Sequence, residues 1–99
     1  MIDVQLQDEK GSATNQFPDS EALSFLLSAA SNEGTVCLRF IDPYGRCTFN
    51  QAQIPVLLSE LRNRLLRLRG DQHLRAGALI AFLEQARDQP HRYVGFIGD

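Results

Sequence analysis

The chain has 99 residues, 43% of them hydrophobic and 22% charged, with a net charge of −2. That length supports one domain around one core, and the composition is that of a globular chain, not a disordered one. No apolar run approaches the ~18 residues of a membrane span. The first residues lack the basic start and apolar core of a secretory signal. A cytoplasmic protein without membrane association is the expectation.

Ile2, Val4 and Leu6 alternate with Asp3, Gln5 and Gln7, the period of a half-buried strand. The polar stretch 8–15 reads as a loop. A helix is predicted from about Pro18-Asp19-Ser20, with Leu23, Leu26, Leu27 and Ala30 on its core face and its end at Asn32 to Gly34. Thr35 to Ile41 is rich in β-branched and apolar residues and is the predicted central strand. Asp42-Pro43-Tyr44-Gly45 has the residues of a type I turn. The chain would then return antiparallel through Arg46 to Phe49, making a hairpin.

Asn50 and Gln53 have the spacing of a capping box, ahead of a second helix predicted over 51–69. Its Ile54, Leu57, Leu58, Leu61, Leu65 and Leu68 form one apolar stripe. Gly70 suits the end of that helix and Asp71 the start of a third, over 72–89, closed by Pro90. Tyr93-Val-Gly-Phe-Ile is a final strand, expected beside Thr35–Ile41. The predicted class is α+β, in the order β-α-β-β-α-α-β, with a mostly antiparallel sheet and helices packed on one face.

Cys37 and Cys47 flank the turn. In either register of the expected hairpin they lie on opposite faces or roughly 13 Å apart, beyond the reach of a disulfide. Free thiols fit a reducing compartment.

The run Cys37-Leu-Arg-Phe-Ile-Asp-Pro-Tyr-Gly, the later Phe49-Asn-Gln, the leucine-rich helix and the ending Phe96-Ile-Gly-Asp resemble a group of small bacterial proteins of unknown function. The resemblance implies a bacterial source and a single small domain. It transfers no activity, cofactor or site residue.

Four features bear on function. Asp42, Tyr44 and Arg46 meet at one exposed tip and form a candidate contact site, because exposed aromatic and Arg residues supply disproportionate binding energy; turn chemistry alone also accounts for them. Arg62, Arg64, Arg67, Arg69 and Arg75 are the main basic cluster, within a chain whose residues 1–33 carry −5 and residues 34–99 carry +3. On a helical projection Arg62, Arg64, Arg67 and Arg69 ring the second helix as solvated flanks, with Glu60 placed to pair with Arg64. Nucleic-acid binding is therefore the lesser alternative.

Third, His73 and His91 stand about 25 Å apart along the third helix, and no metal or cofactor motif is present. A small enzyme would need a site assembled in space. Fourth, Leu74, Ala78 and Phe82 form a second apolar stripe on the third helix, opposite Ala76, Leu79, Ile80, Leu83 and Ala86. Either the strand-side elements wrap both sides of the helix or another subunit covers the second stripe, and a two-fold homodimer is the expectation. The expected function is a non-enzymatic protein-interaction or regulatory domain, its further partner not specified by the sequence.

Overall fold

The computed structural model describes residues 2–98. Four strands, β1 (Ile2–Gln7), β2 (Ala13–Gln16), β3 (Arg46–Phe49) and β4 (Tyr93–Gly98), form one antiparallel sheet in the order β2-β1-β4-β3. Three helices, α1 (Ala22–Leu27), α2 (Ile54–Leu65) and α3 (Gly70–Asp88), pack on one face. Alternation assigns the two sheet faces. Ile2, Val4 and Leu6 of β1, Val94 and Phe96 of β4 and Phe49 of β3 are buried with Leu23, Leu26, Leu57, Leu61, Leu79 and Leu83 of the helices. Asp3, Arg46 and Thr48 stand on the open face.

The α+β class, the antiparallel sheet and the one-sided helical layer are those the sequence predicts. Several elements lie elsewhere. The stretch 35–41 is no strand; Leu38–Phe40 form a single 3-10 turn. Three of its backbone N–H groups, those of Val36, Cys37 and Leu38, donate to the Glu60 carboxylate at 2.6, 2.8 and 3.2 Å. The Arg39 N–H donates to the Thr35 hydroxyl at 3.0 Å. Groups consumed this way cannot serve a ladder, and the buried positions Cys37, Leu38 and Ile41 follow a turn's spacing, not a strand's. Local β-propensity yields to tertiary hydrogen bonding.

The fourth strand is β2, within the expected loop. The Asp8 carboxylate accepts the N–H groups of Lys10 and Ser12 at 2.9 and 3.0 Å, and Gly11 turns the chain at φ +81°. All four β2 residues are exposed, so no alternation marks it. β4 consequently lies between β1 and β3, and β4 takes the central place expected of 35–41. β3 pairs with β4 in place of the missing hairpin partner.

The helices are shorter or shifted. α1 stops at Leu27, well before Asn32, and α2 ends at Leu65, from which one further turn leads to Gly70. The capping box forms as expected: Asn50 N–H donates to the Gln53 side chain at 2.9 Å, and Gln53 N–H to the Asn50 side chain at 3.1 Å. Beside it, the Gln51 amide donates to the carbonyls of Ala86, Gln89 and Arg92 at 2.8, 2.8 and 2.9 Å. One side chain thus ties the end of α3 to the start of β4.

Two glycines of β4 are used differently. A Cβ on Gly98 would overlap the Pro43 carbonyl of the 42–45 turn, which is backbone and cannot step aside. A Cβ on Gly95 would meet only the side-chain amide of Gln7, which can rotate away. Gly98→Ala is expected to destabilise by about 1–3 kcal/mol through overpacking, and Gly95→Ala by less than about 1 kcal/mol. Urea denaturation of the two variants checks that order.

Candidate functional site

The backbone of the tip at 42–45 is tied down by hydrogen bonds. Asp42 Oδ1 accepts the Tyr44 N–H at 2.9 Å, the Gly45 N–H returns to the Asp42 carbonyl at 3.3 Å, and the Gly98 N–H donates to the Gly45 carbonyl at 2.7 Å. The turn is therefore fixed to the central strand. Asp42 is spent on this internal bond, and Arg46 leaves with Thr48 on the open face of the sheet. Tyr44, 82% exposed, is the member of the expected trio that reaches a concave surface.

That surface is a groove of about 770 Å³ between the turn and the polar side of α1. Ile2, Leu27 and Pro43 supply its apolar lining; Glu21, Ser24 and Tyr44 supply polar groups. Ser20 and Ser28 line it as well. Sequence reading missed the α1 contribution. The available signal is the i, i+4, i+8 spacing of Ser20, Ser24 and Ser28, a small-hydroxyl face that Leu27 joins.

The α1 wall is held by a buried cation. Arg64, 5% exposed, donates from Nη1 to the carbonyls of Leu26, Leu27 and Ala30 at 3.1, 3.4 and 3.1 Å, and from Nη2 to Ser31 at 2.7 Å. It caps the last turn of α1 and the chain beyond. The expected Glu60–Arg64 ion pair is replaced by this division of labour: the carboxylate takes amides of 36–38 and the guanidinium takes carbonyls of 26–31.

The remaining arginines are also not a free basic surface. Arg62 pairs with Glu84 at 2.8 Å, and Arg69 donates to the Leu66 and Leu68 carbonyls at 2.9 and 3.0 Å. Arg75 lies over the Phe25 ring at 4.9 Å and binds Asp19 through two bonds of 2.6 and 2.7 Å. The guanidinium bonds hold the Asp19 carboxyl below its ordinary value. Arg67, exposed, is the member of the five for which no such partner appears among the described residues.

On α3, Leu74 is 73% exposed and Ala78 is exposed, but Phe82 packs its ring against Phe17 at 5.3 Å. The chain covers one end of the second stripe itself. Cys37 is buried and Cys47 half-buried, and neither is bridged. With no 35–41 strand, the hairpin register does not supply the reason. Burial pushes both thiols up, Cys37 further aided by the Glu60 carboxylate, so neither is an activated nucleophile. Among the described residues no three His, Cys, Asp or Glu side chains are grouped to hold a metal ion, and no helix is long and apolar enough to cross a membrane. His91 Nδ1 lies 2.9 Å from Glu9, across the sheet end from the tip residues.

Compared with protein families, with curated proteins and with solved structures, the chain finds no significant match in any of the three. Function is therefore read from the residues.

Arg64→Lys keeps the charge but not the fork that reaches four carbonyls. It is expected to destabilise by about 2–3 kcal/mol, whereas Arg67→Lys changes stability by less than about 0.5 kcal/mol; chemical denaturation separates them. For the thiols, alkylation without reductant should add two labels to the denatured chain. In the native protein, labelling of Cys37 should lag behind that of Cys47.

Proposed function

We propose that this chain is a non-enzymatic protein-interaction domain of the cytoplasm, and that its contact site is the groove between the Tyr44 turn and α1. The observation that carries this reading is the exposure of Tyr44, 82%, on a turn whose backbone is bonded to Asp42 and to β4. A tyrosine has few side-chain torsions to freeze, so beside an apolar lining it offers contact area at low entropic cost. The engaged arginines favour a protein partner over nucleic acid, whose affinity depends on free cations facing phosphates.

A photo-crosslinking residue at position 44 tests this reading in a cell lysate. It should give a discrete protein adduct, and the same residue at position 48, on the open face of the sheet, should give none. Equal labelling from both positions, or none from position 44, would contradict the proposal.

Self-association belongs to the same reading. Leu74 and Ala78 support it as an exposed apolar pair on the outer side of α3. Because Phe82 also packs on Phe17, Leu74→Glu is the cleaner probe than a change at Phe82. Light scattering coupled to gel filtration should report a dimer for the parent chain and a monomer for Leu74→Glu; a monomeric parent removes the dimer from the account.

A further inference from the structure

Resting on the reading of the groove as a protein contact site, we infer that its occupant is a peptide segment with an Arg or Lys side chain next to an apolar one. The charge around the groove supplies the first argument. Glu21 lines it with a side chain 64% exposed, and no Lys or Arg lines it. The nearest guanidinium, Arg75, is 3.2 Å from Glu21 but is already bound at 2.6 Å to Asp19 and lies 3.6 Å from Asp71. One cation serves three carboxylates, so negative charge is left over at the rim. It also sits in the acidic third of the chain, where six acids face Lys10 alone.

The chemistry of the lining supplies the second argument. A carboxylate, a tyrosine ring and serine hydroxyls facing one space are the groups that receive a guanidinium or ammonium: a counter-charge, a π face and hydrogen-bond acceptors. An anionic segment would meet the Glu21 charge with no cation in the lining to offset it. Ile2, Leu27 and Pro43 then offer an apolar seat beside the cation site, which a lone metal ion or small amine would leave unfilled. About 770 Å³ is room for side chains of a short peptide, not for a folded element.

The probe is a phage-displayed library of random peptides selected on the intact chain, followed by titration of the enriched peptides. Enriched sequences should place Arg or Lys beside an apolar residue and bind more weakly as salt rises. Glu21→Gln, which keeps an acceptor for Arg75, should weaken binding about three- to fivefold, the scale of a partly exposed ion pair. Tyr44→Ala should weaken it about tenfold. Thr48→Ala, on the open sheet face, should leave it unchanged. Enriched peptides that lack a basic residue, or binding lost in Tyr44→Ala yet indifferent to Glu21→Gln, would overturn the cationic assignment while leaving the groove as a contact site. No enrichment, or binding indifferent to both changes, would overturn the two together. Circular dichroism and melting of each variant confirm that the fold is intact before titration.

Discussion

Two side chains on α2, Glu60 and Arg64, hold the part of the chain that has no ladder to hold it. They are four residues apart with opposite charges, the arrangement of an ordinary helix ion pair, yet each turns to backbone instead. Arg64 collects carbonyls at 26, 27, 30 and 31, and Glu60 collects amides at 36, 37 and 38. An unpaired buried backbone group costs on the order of 1–3 kcal/mol. The segment between α1 and the Tyr44 turn could not lie against the core without these two residues. Neutral carbonyl dipoles, not a carboxylate, compensate the buried guanidinium; this works because a guanidinium spreads its donors over a fork.

Function inherits that constraint. α1 is only six residues long, and its leucines alone do not fix the position of Ser24, Leu27 and Ser28. Arg64 holds its last turn from one side, and the Arg75–Asp19 pair holds its entry from the other. The opposite wall is tied to β4 through Gly98, whose missing Cβ lets the Pro43 carbonyl approach. Under the proposed function, a groove whose backbone is held on both sides would lose little freedom on binding. The acidity of that region follows from the same arrangement, since the stabilising arginines are committed and the carboxylates outnumber them.

Much of this fold is legible in the sequence, and most of the failures share one cause. The strands at 2–7 and 93–98, the stripe of α2, the capping box at Asn50 and Gln53, and the Asp42–Gly45 turn all depend on near neighbours or simple periodicity. Each is found close to its expected place. The stretch 35–41 has the composition of a strand and is folded as a turn because a carboxylate more than twenty residues away claims its amides. β2 has no buried residue to announce it. For the site, Tyr44 is legible as an exposed turn aromatic, whereas nothing local marks Ser24 and Ser28 as the wall of a groove. Of the arginines on that basic flank, Arg62, Arg64 and Arg75 are consumed by carbonyls and acids that only the tertiary fold brings near. Long-range polar contacts decide these points, and they leave no period in the sequence.

Amide hydrogen exchange in a Glu60→Ala variant tests this account most directly. With the carboxylate gone, the amides of Val36, Cys37 and Leu38 should lose their protection and exchange like exposed loop amides, while Leu79 and Ile80 of α3 keep theirs. Protection unchanged at 36–38, or lost to the same degree throughout α3, would show that Glu60 does not hold this segment and would contradict the account.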